Sequence, residues 1–408
     1  MRILSSSATT FLRGVAATIA LTAVAACTAP VETSTAPAAP VAEPAPAILA
    51  PGQIDPNGPV NVALLIPSGG ADAERNALAQ SLENAARLAI ADAPDVTVNL
   101  RTYSTAGDPA RATQAASQAI VEGADVLVGP LFSASVAAAG PIAQAAGVPV
   151  LSFSNNSAVA GANVYVLGNT FESRATRLLS YAAANGLRRT GIIHTQDAEG
   201  NAALNAVRTA ASSTGTDLVA TSSYPRSRDG IPAAGQAFTN AMTSAGVNNL
   251  VMSDSGAGLV YASTFLPFHG MNMSEVQVIG LQDLSDRAFA SERTLEGAWF
   301  TTPDAGRAAA FQSRYTARYG TSPHALAPIA YDGIAVVTAL MQQARATGNV
   351  DAFAATNLTS PSGFTGVEGA FRLTPGGGNE RALAIMEVTR DGPQLVDPAP
   401  GRFGVAGF

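Results

Sequence analysis

Val60-Asn61-Val62-Ala63-Leu64-Leu65-Ile66-Pro67-Ser68-Gly69-Gly70 opens a pattern that the rest of the chain repeats. Its first seven residues form a nearly unbroken apolar run rich in β-branched side chains. A run without alternation reads as a strand buried on both faces. Pro67 to Gly70 stop the strand. Residues 72–91 follow, with Leu78, Leu82, Ala85, Ala86 and Ala89 at helical spacing.

Outward from this unit, strands are expected at Val60–Ile66, 96–103, 125–128, 148–153, 191–194, 249–253 and 276–280. Asp108 before Pro109 supplies a cap and first-turn pair for the helix that ends near Glu122. Two βα sets result, 59–168 and 169–302, followed by a helical stretch over 305–346. Strands punctuated by Gly and Pro begin near Gly363 and end with 382–388. One open sheet would not hold this much strand comfortably. The expected fold class is therefore α/β, with two doubly wound parallel-sheet lobes and an interdomain cleft. The first lobe is expected to take 59–168 plus 303–360, and the second 169–302 plus 361–408.

The chain has 408 residues, 23 basic against 30 acidic, for a net charge of −7, which argues against a broad nucleic-acid footprint. Every basic residue is arginine. The absence of lysine removes the P-loop lysine, the Schiff-base lysine and Ser-Lys dyads. His194, His269 and His324 show no metal-ligand spacing, and no G-x-S-x-G elbow occurs. Gly256-Ala257-Gly258 lacks the third glycine of a dinucleotide fingerprint, and Gly376-Gly377-Gly378 reads as a flexible turn. No enzyme activity, metal or cofactor is expected.

At the N-terminus, Arg2 and Arg13 accompany an apolar segment over 15–26. The segment is shorter than the about 20 residues a bilayer span requires and fits a signal peptide over 1–26. Cys27, the only cysteine, follows Val24-Ala25-Ala26 in a pattern that resembles the bacterial lipobox, whose cysteine is acylated. Residues 27–58 are then expected to be a lipid anchor and a disordered Pro/Ala linker, with Pro37, Pro40, Pro44, Pro46 and Pro51. At a polyproline rise of ~3.1 Å per residue, it could reach on the order of 90 Å. Thr28 after the cysteine resembles outer-membrane sorting, on the periplasmic side of the envelope.

In open parallel sheets, ligands lie beyond the carboxyl ends of the strands. In the first lobe that places Ser68 and Gly69, Ser133 and Ser135, and Ser154 and Asn156 on one rim. Such small hydroxyl and glycine residues, some of them opening helices, suit a carboxylate. They equally serve as turn and cap residues. In the second lobe the candidates are Asp197, Asp254 and Asp283, acids that could receive an ammonium group. Asp197 and Asp254 also read as helix caps.

Val62-Ala63-Leu64-Leu65-Ile66-Pro67-Ser68-Gly69 is similar to the opening strand of type 1 periplasmic binding proteins, the leucine-binding-protein fold. Val128-Gly129-Pro130-Leu131, Gly147-Val148-Pro149-Val150 and Tyr331-Asp332-Gly333 resemble later signposts of that family. The resemblance covers nearly all of 60–390. Val276-Gln277-Val278-Ile279-Gly280 and Leu295-Glu296-Gly297-Ala298-Trp299-Phe300 look like the penicillin-binding protein activator branch. It implies an outer-membrane lipoprotein that regulates peptidoglycan synthesis through a synthase. The alternative branch is the substrate-binding component of an amino-acid ABC importer, working with a permease. There the resemblance implies that Ser133, Ser135, Ser154 and Asn156 hold the carboxylate and amine of a small amino-acid-like or peptide-like ligand, with Asp283 as the second-lobe acid. Where importer relatives often carry Tyr-Gly after the Asp197 position, this chain carries Glu199-Gly200.

Overall fold

A computed structural model describes residues 49–50 and 52–403. The expected signal peptide, Cys27 and most of the expected linker lie outside the described residues. The part of the linker that is described does not behave as a tether. Ile54 donates its N–H to the Val350 carbonyl (2.8 Å) and is buried in the first lobe's core. An apolar side chain with a core socket ends the linker before residue 58.

The first βα series runs β1 (Val60–Ile66), α1 (Ala73–Ala91), β2 (Val98–Ser104), α2 (Pro109–Val121), β3 (Val126–Val128), α3 (Ser133–Ala145), β4 (Val150–Ser152) and β5 (Val164–Val166). The second runs α4 (Phe171–Ala184), β6 (Arg189–Thr195), α5 (Ala198–Thr214), β7 (Asp217–Tyr224), α6 (Gly230–Ser244), β8 (Asn249–Met252), α7 (Gly256–Phe268), β9 (Gln277–Gly280), α8 (Arg287–Ala290) and β10 (Trp299–Thr302). The chain then forms α9 (Ala305–Tyr319), α10 (Ala327–Thr347) and α11 (Ala355–Leu358). It finishes with β11 (Phe364–Gly366), β12 (Gly369–Leu373), β13 (Asn379–Arg381), β14 (Ala384–Glu387) and β15 (Gln394–Asp397).

The first sheet is parallel, in the order β2-β1-β3-β4-β5. Strand residues alternate between two cores, as the pleat requires. Val60, Val62, Leu64 and Ile66 face α1, α9 and α10, whereas Ala63 and Leu65 face α2 and α3. The second sheet has the order β15-β14-β10-β9-β8-β6-β7. Its strands β6 to β10 are parallel, and β14 and β15 add an antiparallel edge. Ile193, Leu250 and Met252 pack under α6 and α7; Ile192, Val251 and Ile279 pack under α4 and α5.

Of residues 361–408, expected in the second lobe, those described divide between the two. Phe364, Val367, Phe371 and Leu373, from or beside the small antiparallel sheet β11-β12-β13, are buried in the first lobe's core. Only β14 and β15 extend the second sheet. The main chain therefore passes between lobes at 167–170, at 303–304 and at 382–383.

Each sheet reverses its strand order once, at β1/β3 and at β6/β8, and the loops beyond those strand ends face the cleft. Gly129, after β3, has φ +94°, and a Cβ there would lie 2.2 Å from the Leu65 carbonyl oxygen. Only glycine lets this loop leave the sheet so close to β1.

Candidate functional site

Two adjoining cavities open at these strand ends. The first, about 340 Å³, is walled by Leu131, Phe132, Phe153, Leu167, Leu326 and Ile329. Ser133, Asn155, Asn169, Arg174, Glu368 and Arg381 supply its polar atoms. The second, about 330 Å³, is more polar and lies between the lobes. Asn155, Asn156 and Ser157 come from one side, and Ala198, Glu199, Ala202 and Gln282 from the other. Asn155, Asn169 and Arg174 belong to both cavities.

On the first-lobe rim, Ser133 and Ser154 come together, their hydroxyl oxygens 3.1 Å apart. Ser133 opens α3, whose first turn has no side-chain cap and so leaves N–H donors towards the cleft. Ser154 Oγ also accepts the Asn156 N–H (3.1 Å). Asn156 spends its side chain on the Ala158 N–H (3.0 Å) while lining the second cavity. Ser135 is fully buried, its hydroxyl makes no hydrogen bond to the described residues, and it lines neither cavity. Nor do Ser68 and Gly69. The Ser68 carbonyl is taken by the Ser104 hydroxyl and the Ala106 N–H, and the Gly69 N–H by Asn76 Oδ1.

The second-lobe acids are arranged differently from the expectation of open amine receptors. Arg226 reaches three carboxylates at once: Asp197 at 3.5 Å, Glu199 at 2.9 Å and Asp254 at 3.1 Å. Asp197 caps α5, accepting from the Gly200 N–H and the Thr195 hydroxyl, both at 2.8 Å. Those bonds, led by the one from Gly200, hold its carboxyl below the ordinary range. Asp254 is buried and takes the Tyr224 hydroxyl (2.7 Å) and the Ser255 N–H (2.8 Å). Burial first, and then this bond to Asp254, drive the Tyr224 hydroxyl up. Asp283 is exposed and turns back on the Ser285 N–H. Neither Asp197, Asp254 nor Asp283 lines either of these two cavities; Glu199 and Gln282 line the second.

The strongest charges in the cleft lie where the chain crosses between lobes. Arg381 is buried and pairs with the fully buried Asp332 at 3.0 Å. It donates twice to the Leu167 carbonyl (3.1 and 2.6 Å) and lies 4.8 Å from the centroid of Phe371. Asp332 also accepts the Val367 N–H (2.9 Å). Burial raises its carboxyl, and the Arg381 guanidinium opposes the rise. Glu368 stands 3.7 Å from Arg381 at the cavity wall. Burial pushes Glu368 up to about 7; Arg381 and Arg174 restrain the shift, and Asp332 adds to it. Arg174, in the first turn of α4, donates from Nη1 to the Leu281 carbonyl (2.9 Å) and Gln282 Oε1 (3.3 Å).

Arg174, Glu368 and Arg381 are absent from the sequence-derived candidates. The one available signal is Asp332, a lone acid inside the apolar helix around Ile329, Ile334 and Val337, which requires a buried cationic partner.

A two-lobed α/β body with a solute-sized cleft at the strand ends defines a class of ligand-capturing proteins. Residues 59–393 match the family described as "Periplasmic binding protein". The chain belongs to that family, which is one of binding proteins and not of enzymes. Among solved structures, it is similar to a branched-chain amino acid ABC transporter periplasmic ligand-binding protein from Burkholderia xenovorans. That match has 17% identity and a TM-score of 0.62, covering 84% of this chain and 96% of the other. It is also similar to an ABC transporter substrate-binding protein from Desulfitobacterium hafniense in complex with Leu (17% identity, TM-score 0.56, 83% of this chain and 100% of the other). A third is a solute-binding protein of an ABC transporter from Rhodopseudomonas palustris in complex with 3,4-dihydroxybenzoic acid (20% identity, TM-score 0.51, 85% and 97%). Comparison with curated proteins returned no match.

Proposed function

We propose that this protein captures a small organic solute between its lobes and presents it to an ABC importer. The carrying observation is the pair of cavities joined through Asn155, Asn169 and Arg174 and built from both lobes at the strand ends. A ligand that touches both lobes stabilises the closed arrangement by its differential contacts. The similar solved structures, described as ABC transporter binding proteins with leucine or an aromatic acid bound, support this reading over the activator one. Acylation of Cys27 would tether the body on the periplasmic side of the envelope, near a membrane-bound permease.

Thermal unfolding against a panel of aliphatic amino acids and aromatic carboxylates tests the reading. A cleft ligand at about a hundred times its Kd adds about 2.7 kcal/mol of stability and raises Tm saturably. A panel without any saturable shift overturns it. Under the activator reading, deletion of the gene would instead lower septal peptidoglycan synthesis without altering solute uptake.

A further inference from the structure

Arg174 is a cleft cation that feels the charges of Asp283 and Glu368 without pairing with either. It forms no ion pair among the described residues, and only its Nη1 is engaged, by Leu281 and Gln282. Its Nε and Nη2 make no hydrogen bond to the described residues while the side chain lines both cavities. A half-used guanidinium in a partly desolvated cavity favours a carboxylate, whose two oxygens match its fork.

Most of the second-lobe acids that would receive an ammonium are occupied, and the apolar cavity holds none of them. Both oxygens of Glu199 are taken, one by Arg226 and one by Gln282 Nε2 (2.9 Å). Asp197 has Oδ1 on the Thr195 hydroxyl and the Gly200 N–H and Oδ2 3.5 Å from Arg226, and Asp254 has Oδ1 on Arg226 and the Ser255 N–H and Oδ2 on the Tyr224 hydroxyl. Glu172, in the polar cavity, has one oxygen on the Ser157 hydroxyl (2.7 Å), and Asp283 has one on the Ser285 N–H (2.8 Å); each keeps its other oxygen without a hydrogen bond to the described residues, but neither lines the apolar cavity. In the apolar cavity the only carboxylate at the wall is Glu368, flanked by Arg381.

Building on the solute-binding reading, we propose that the ligand is an organic acid with an apolar body and no α-amino group, its carboxylate on Arg174 and its body between Phe132, Phe153, Leu326 and Ile329. An anion placed there also acts on Glu368. The charged groups facing Glu368 are Arg381 from β13, Asp332 from α10 and Arg174 from α4; Asp304, before α9, donates its N–H to the Glu368 carbonyl. With Glu368 already near 7, a bound carboxylate draws a proton onto it, so binding takes up a proton at neutral pH.

Calorimetry on the full chain with three matched probes decides the matter: 4-methylpentanoate, leucine and isopentylamine. The expected order places 4-methylpentanoate at least about tenfold tighter than leucine, with isopentylamine weakest. Repeating the titration in buffers of different ionisation heat should show proton uptake, which Glu368→Gln removes. Arg174→Gln should weaken 4-methylpentanoate about tenfold or more. If that variant fails to fold, the probe ranking with the parent protein still decides. Leucine binding as tightly as 4-methylpentanoate overturns the acid assignment and leaves solute binding standing. Failure of all three probes, together with a flat thermal-shift panel, removes both.

Discussion

Replacing Arg381 with methionine strands the carboxylate of Asp332. The new side chain retains apolar bulk against Phe371, whereas Asp332 stays fully buried with one backbone donor from Val367. A carboxylate in that position takes up a proton instead of remaining charged. The work of protonation bounds the loss, at about 1.4 kcal/mol for each pH unit above the ordinary value of 3.8. That bound is about 4 kcal/mol at pH 7 and less than about 2 kcal/mol at pH 5, and the loss falls below it because burial already raises the Asp332 carboxyl in the parent. The Leu167 carbonyl also loses both of its Arg381 donors, which adds a pH-independent loss of about 1–2 kcal/mol. Urea unfolding at the two pH values measures both parts, followed by circular dichroism and by emission from Trp299, the only tryptophan. Adding Asp332→Asn should restore most of the pH-dependent part, giving a coupling of several kcal/mol in the double-mutant cycle. Equal losses at pH 5 and pH 7, or additive single substitutions, would refute the idea that Arg381 serves to neutralise Asp332.

Glu368→Gln should act with the opposite pH sense. A carboxyl raised from 4.5 to about 7 in the folded state contributes stability that is present at low pH and lost as pH rises through that interval. The variant should therefore gain on the parent as pH increases, by up to about 3 kcal/mol above pH 7 in urea melts. An unchanged difference between pH 5 and pH 8 would contradict the assigned burial. Gly129→Ala forces a Cβ towards the Leu65 carbonyl at a positive φ and should cost at least about 2 kcal/mol, read as a lowered Tm. Cys27→Ser should abolish labelling by radioactive palmitate and release the protein from membranes; persistent labelling would remove the anchor.

Much of the fold is legible because strands buried on both faces write themselves as unbroken apolar runs. Val60–Ile66 and Asn249–Met252 are of this kind. Not every strand absent from that expectation lacks this signature, since β5 and the start of β10 are buried apolar runs, but these are short. Strand β7 carries Thr221, Ser222 and Ser223 at a half-exposed sheet edge, and β5 is three residues long. The site is less legible. Ser133 and Ser154 follow from their places at strand ends, and they meet. Asp197 and Asp254 also follow strands, yet their oxygens serve Arg226, Tyr224 and local N–H groups. Sequence position could not reveal this, because Arg226 lies nearly thirty residues from either acid.

Positions 174, 368 and 381 are far apart in sequence and converge only because the chain passes three times between lobes. Arg174 follows the first crossing, Asp304 sits at the second, and Arg381 ends the strand before the third. Glu368 links the last two, through its own carbonyl to the Asp304 N–H and through its side chain to Arg381. The charges that line the apolar cavity are therefore fixed at or beside the segments that any lobe movement must bend. The apolar walls, by contrast, come mainly from the first lobe through Leu131, Phe132 and Phe153. Shape selection for the ligand's body can thus operate on the open form, whereas its charge is read by α4 and the crossings. A ligand that fits the wall but lacks an anion would fill the first lobe without engaging Arg174, and would have little to bias closure.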